Sequence, residues 1–335
     1  MNSIPVKPNV FSRFTTLRAN QRLVSGVDWA GKWAAPILDI LILILAGFIA
    51  PAFYNPENLK TVGIQIAILG VVAIGQTVVL LVRSIDLSVG MLMALGAVIV
   101  VQTQEGASIP LALIEAFLTA AAIGLIIGLL VTKRQVPPFV ATFGMMVFIQ
   151  GARLAYSHGQ ASGTVPELLR AISINPLGGF LPAALVVWVL ANLAVLFVLK
   201  LTPVGRWIYA VGGNPAAARY AGINIDAVVI GAHIFCSMSA LLGGLMLSGY
   251  IGYLDLGLGA DYNTNAIAAV VVGGTTFTGG RGNLYGTAAG VVLLILLLNL
   301  VVVLGLPINW QLAMQGLVLV AATALQGFRQ FLLNR

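Results

Sequence analysis

Charge is scarce in this chain. Only 8% of its 335 residues are charged, and it has two histidines and one cysteine. A soluble domain carries about 25% charged residues, so this polar deficit excludes a chain that covers itself with a water-facing surface. The lone Cys236 excludes a disulfide framework and a cysteine-based metal site. His158 and His233 lie in different segments and form no H-E-x-x-H, and no Ser-His-Asp set is apparent, so neither metal nor hydrolytic catalysis is signalled. G-x-x-x-x-G-K-[ST] is missing as well. The glycine-rich "GGTTFTGGRGN" (273–283) has no lysine and follows no soluble strand, so the chain does not cradle ATP phosphates itself. No enzyme activity and no cofactor are expected. The N-terminus lacks the short apolar core of a secretion signal, and the first apolar run, from near Ala34, reads as a retained span.

What is there is apolar: 59% of residues are hydrophobic and the mean hydropathy is +1.02. The net charge of +7 comes from basic residues spread between hydrophobic runs, which argues against nucleic acid as a partner. The expected class is an all-α, polytopic membrane bundle. A crossing takes about 20 apolar residues. Runs at 35–52, 62–82, 111–131, 139–155, 181–199, 227–251, 284–304 and 311–328 qualify, and 89–101 and 266–278 are shorter and interrupted. Ten crossings fit the charge pattern best. Lys and Arg collect in cytoplasmic loops, which places the tail with Lys7, Arg13, Arg18, Arg22 and Lys32 inside. Lys133–Arg134, the 200–226 loop, Arg281 and the end with Arg329 and Arg335 follow it there. Both termini are then cytoplasmic, with a tail over 1–33 and one membrane domain over 34–335. Gly124-x-x-x-Gly128 and Gly286-x-x-x-Gly290 read as close helix packing.

Two stretches stand out. In "RSIDLSVG" (83–90), Arg83 and Asp86 sit between apolar runs. A charge at the bilayer centre costs about 2.5–3.5 kcal/mol, whereas an N-cap by Asp86 onto Ser88 or Val89 returns only about 0.5–2 kcal/mol. The pair therefore lies either near the cytoplasmic interface or in a wet cavity beside a broken helix. In the second case 266–278 is its counterpart in an inverted half. In "PVGRWIYAVGGNPAAARYAGINI" (203–225), Asn214 suits an N-cap, Pro215 the first helical turn and Gly222 a left-handed C′ position. So short a helix must dock on something, either a soluble partner or the membrane surface. Asp39, Glu115 and His233 are a thin set for ion coupling. The first two read as interface anchors and His233 as an interfacial or satisfied core residue. Polar groups able to face a solute are Gln76, Thr77, Arg83, Asp86, Ser88, Asn263, Asn265, Thr275 and Thr276. They suit a weak path better than a tight site.

Four blocks in order, "IDLSVG" (85–90), "PPFVATFGMM" (137–146), "GRWIYAVGGNPAAARYAGINI" (205–225) and "AIAAVVVGGTTFTGGRGNLYGT" (266–287), resemble the permease subunits of ribose/galactoside-type sugar ABC importers. The resemblance implies an inner-membrane permease that dimerises with a second copy or a paralogue. It also implies an ABC ATPase as the motor and a periplasmic binding protein that delivers sugar. It assigns the ATPase contact to the region of Gly205, Arg206, Gly212, Gly213, Asn214, Arg219 and Gly222. The chain departs from the family pattern at Val82-Arg83-Ser84, where small residues are usual, and at Asn263-Thr264-Asn265, where a Glu-Leu-Asp run is usual. The rival readings are the same machine with another cargo, such as branched-chain amino acids, and an autonomous carrier or channel.

Overall fold

The structure is a computed structural model that describes residues 33–161, 163–179, 181–255 and 257–333. The expected tail, apart from Trp33, and Arg335 lie outside the described residues. The helices in chain order are α1 (Trp33–Ile49), α2 (Pro56–Leu81), α3 (Val89–Thr103), α4 (Ile109–Lys133), α5 (Pro138–Tyr156), α6 (Glu167–Ile174), α7 (Ala183–Leu201), α8 (Pro203–Gly213), α9 (Pro215–Tyr220), α10 (Ile225–Ile251), α11 (Tyr262–Val272), α12 (Leu284–Val303) and α13 (Ile308–Leu333). A two-residue antiparallel pair, β1 (Pro176–Leu177) with β2 (Leu181–Pro182), is the one sheet among the described residues.

Local chemistry sets the long helices. Asn55 caps α2 by accepting from Glu57 N at 3.0 Å, with Pro56 in the first turn. Asn224 caps α10 through Ala227 N at 3.1 Å, and Asn283 caps α12 through Gly286 N at 2.8 Å. Among the described residues six helices (α2, α4, α5, α7, α10, α12) are long and apolar enough to cross a membrane, while α1, α3 and α11 are shorter apolar helices. At 1.5 Å per residue α3 rises about 22 Å and α11 about 16 Å, short of a hydrocarbon core of about 30 Å. Each of these two is therefore a half-helix preceded by a non-helical stretch, 82–88 or 252–261.

α2 and α10 form the centre and bury most of their length. Around them α1, α4, α5 and α7 turn Phe48, Leu118, Phe148 and Leu190 outward, exposed as lipid-facing side chains are. The small-residue pairs pack as expected. Gly124 and Gly128 of α4 lie on Ile234 and Ile230 of α10, and Gly286 and Gly290 of α12 lie on Gly273 and Ala269.

The bundle has two chemically distinct ends. At one, Lys133 pairs with Asp226 at 2.5 Å, Lys200 lies over the Tyr285 ring, and Tyr209 donates to Gly282 O at 3.0 Å. The basic loops expected to be cytoplasmic therefore gather on one face. At the other end Asn58 and Asn299 exchange hydrogen bonds at 2.9 and 3.0 Å, Thr103 donates to Glu115 at 2.9 Å, and Thr164 bridges Tyr253.

Candidate functional site

Two half-helices meet inside the bundle. α2 ends at the basic face. The chain then runs through 82–88 without helical structure before α3 continues toward the opposite face. α10 ends at the opposite face, and 252–261 leads back to α11, which returns to the basic face. Each unit is a long helix, a non-helical stretch and a half-helix, and the two units run in opposite directions. Asp86 lies beside His233 and Met93 beside Gly244. Those α10 positions are about 12 and 28 Å along a helix about 40 Å long, so the start of α3 sits near the bundle's middle.

The N-termini touch there. Gly90 N donates to Asn263 Oδ1 at 2.5 Å, and Asn263 also approaches Met146 Sδ at 3.4 Å. A Cβ on Gly90 would lie 2.2 Å from Gly259 O, so only glycine permits this backbone approach. One free amide of α3 is thus capped from α11 rather than from its own sequence.

Asp86 acts one step earlier than an N-cap would. Its Oδ1 accepts from Ser88 N at 2.8 Å and Ser88 Oγ at 2.6 Å, closing an Asx turn that delivers Ser88 as the N-cap residue. Its Oδ2 lies 3.5 Å from His233 Nδ1, and His233 Nε2 lies 2.8 Å from Ser84 Oγ. In the tautomer with the proton on Nδ1, Ser84 donates to the imidazole and the imidazole donates to Asp86, so each of these groups has a partner. This trio has the composition of a hydrolytic triad, but His233 and Asp86 are fully buried and Ser84 is 6% exposed. It fastens a chain break to α10. It was not legible in the sequence, because Asp86 and Ser84 stand 147 and 149 positions from His233. The core-residue reading of His233 agrees with what is seen.

The remaining polar positions lie nearby in two groups. Gln76 Oε1 accepts a long contact from Cys236 Sγ at 3.8 Å, and Gln76 Nε2 has no partner among the described residues. Thr77 Oγ1 lies 2.8 Å from Thr287 Oγ1, joining α2 to α12. Asn265 is buried with Oδ1 unpartnered among the described residues. Thr275 is buried in the turn after α11, where Thr276 N donates to Arg281 O at 3.0 Å. Gln76, Asp86, Ser88 and Asn263 therefore surround the α3 break, whereas Thr275 and Thr276 sit below it at the basic end.

Arg83 faces the other way. Its Nε donates to Gly212 O at 2.6 Å and its Nη2 to Gly213 O at 2.8 Å, at the C-terminus of α8. Its φ of +64° is left-handed, a conformation that costs a side-chain-bearing residue about 1–2 kcal/mol. Gly212 is packed so closely that a Cβ would lie 1.7 Å from Leu81 O, and Gly280 N donates to Leu81 O at 2.9 Å.

α8 and α9 form an elbow on the basic face. Thr202 caps α8 through Gly205 N, and Asn214 caps α9 through Ala217 N at 3.1 Å. Gly222 adopts φ +78° and Ile223 N closes onto Ala218 O at 3.0 Å, the expected left-handed finish. α8 itself extends the helical part well beyond the expected 215–221. Gly205 and Gly212 are buried, while Arg206, Gly213, Asn214, Arg219 and Gly222 are exposed. Trp207 is 44% and Tyr220 94% exposed. Burial raises the pKa of Tyr209 on the inner side of the elbow.

The chain is similar in sequence to known import permeases. The ribose import permease protein RbsC of Escherichia coli K12 is 32% identical over 324 residues, covering 94% of this chain and all of the relative. RbsC of Bacillus subtilis is 35% identical over 294 residues, covering 87% and 91%. The galactose/methyl galactoside import permease protein MglC of Haemophilus influenzae is 29% identical over 322 residues, covering 88% and 94%. No solved structure gives a significant match. Residues 58–323, which hold both half-helix units and the elbow, match the family described as branched-chain amino acid transport system / permease component, and the chain belongs to that family.

Proposed function

We propose that this chain is the membrane subunit of an importer driven by a separate ABC ATPase, moving a sugar or similar polyol across the inner membrane. A periplasmic binding protein delivers the solute, and the permease works as a dimer. The observation that carries the reading is the exposed, self-capped elbow α8–α9, with Trp207 and Tyr220 projecting beside Arg206 and Arg219. Aromatic and arginine side chains at the centre of a patch are what protein docking uses, and an isolated short helix needs such a partner. Gly205, Arg206, Gly212, Gly213, Asn214, Arg219 and Gly222 form the ATPase contact or shape its backbone.

The solute path runs by the half-helix junction. Gln76, Asp86, Ser88, Asn263 and Asn265 line it, and Thr275 and Thr276 stand at its inner mouth, whereas Arg83, expected on the path, turns away to the end of α8. Amides and hydroxyls both donate and accept, which suits a neutral polyol. Gln76 Nε2 and Asn265 Oδ1, without a partner among the described residues, support a second arrangement in which these groups are solvated or bound to solute. The named relatives carry ribose and galactose or its methyl glycoside. Selectivity resides mainly in the binding protein, since so few polar groups make only a weak path.

The test is uptake of labelled D-ribose, D-galactose and L-leucine into proteoliposomes holding the chain, its ATPase and its binding protein. ATP-dependent sugar uptake is expected. Leucine uptake alone would replace the cargo, and uptake by the chain alone under an ion gradient would end the ATPase reading. Gly213→Pro and Arg219→Glu should lower uptake about tenfold or more at near-normal membrane levels.

A further inference from the structure

We propose that Arg83 is the tie that carries movement of the α8–α9 elbow into the α2–α3 break, and so to the half-helix junction, as a positioning residue that does not touch solute. The proposal rests on the reading of the elbow as the ATPase contact.

The first support is conformational. A left-handed backbone at Arg83 is one that glycine occupies freely and arginine does not. An outlier of this kind persists where the surroundings fix it, and here its two ends are fixed. Arg83 N donates to Leu80 O at 3.0 Å, and the guanidinium reaches two successive carbonyls, Gly212 O at 2.6 Å and Gly213 O at 2.8 Å. Those carbonyls close α8, where unsatisfied acceptors and the negative end of the helix dipole favour a cation. A planar fork suits two adjacent acceptors, whereas an ammonium is a point donor.

The second support is placement. A Cβ on Gly279 would lie 2.3 Å from Arg83 Cγ, so the 273–283 turn lies directly against the side chain. The break, the elbow and the α11–α12 turn thus meet at one arginine, the turn against its stem and the elbow at its guanidinium. Next along the chain from Arg83 is Ser84, held by His233, and then Asp86, whose Asx turn starts α3. The N-cap of α3, Ser88, lies five positions after Arg83, and Ser84, Asp86 and Ser88 along that stretch are fixed by side-chain hydrogen bonds. A displacement of Gly212 and Gly213 has a short, taut route to Gly90 and its contact with Asn263.

Arg83→Gly should fold, because its backbone suits glycine. Hydrogen exchange of amides 84–92 is measured in the permease–ATPase complex with and without ATP plus orthovanadate, alongside sugar taken up per ATP hydrolysed. Nucleotide trapping should change exchange in the wild type by about tenfold. In Arg83→Gly that change should vanish and uptake per ATP should fall at least about tenfold, with hydrolysis within about twofold. Arg83→Lys should fall between. An unchanged response and ratio in Arg83→Gly would overturn the proposal. So would loss of ATPase binding in Arg83→Gly, which would make Arg83 part of the docking surface. If the wild-type chain binds no ABC ATPase, the proposed function fails instead. The tie is then tested in the isolated chain, where Arg83→Gly should speed exchange at 209–214 by about tenfold and equal exchange would overturn it.

Discussion

The two half-helices share a plan but not a means of attachment. The approach to α3, residues 82–88, is fastened by side chains: Arg83 to α8, Ser84 to His233, and Asp86 to Ser88 and His233. The approach to α11, residues 252–261, is built on backbone turns at Gly252 (φ +82°) and Gly259 (φ +80°), with Asp255 accepting from Gly257 N at 2.7 Å. One arm is clamped and addressed by the elbow, and the other is threaded through glycines. Inverted units in one chain can thus be held by different means, and here the arm fastened by side chains is the one next to α8.

This contrast is open to mutation. The largest effect belongs to Asp86→Ala. It leaves Ser88 N, Ser88 Oγ and His233 Nδ1 without their acceptor, and each buried orphan costs about 1–3 kcal/mol. Thermal unfolding in detergent should show a loss of several kcal/mol with uptake abolished, and a tolerated change would remove the clamp from the α3 arm. Next comes the pair Gly90→Ala and Gly257→Ala. The first forces a Cβ to 2.2 Å from Gly259 O and should cost about 1–3 kcal/mol. The second meets only Asp255 Oδ1 at 3.4 Å and should change stability by about 0.5 kcal/mol or less. Equal melting shifts would erase the difference between the arms.

The smallest effect is at Tyr209. Its hydroxyl donates to Gly282 O, so Tyr209→Phe should lose about 0.5–1.5 kcal/mol. Burial raises its pKa, so the folded chain keeps this proton to higher pH than the unfolded chain. The contribution is therefore full below about pH 10 and declines as the pH climbs past it. Melting curves between pH 8 and 11 should show a shallower alkaline decline for Tyr209→Phe, and parallel curves would count against it.

What could be read from the sequence was what acts locally. Asn214, Pro215 and Gly222 bracket α9 because caps work over three or four residues. The run at 89–101 was legible as interrupted because its apolar stretch is short, and α3 extends it only to Thr103, whereas α11 spans Tyr262–Val272 in place of the expected 266–278. The junction was not legible. Gly90 and Asn263 are 173 positions apart, and Ser84 and His233 are 149 apart. Arg83 hid its geometry for a different reason: an arginine gives no sign of a left-handed backbone, whereas a glycine would have suggested one. The polar positions were found as types, but their division into an upper group and a lower pair needed three dimensions.

The glycine contact between α3 and the stretch that leads into α11 has a mechanical consequence. Helices that interlock through bulky side chains move in jumps, since each ridge must climb out of its groove. Where Gly90 faces Gly259 the surfaces are bare backbone, and the joint can glide, with one asparagine amide as its brake.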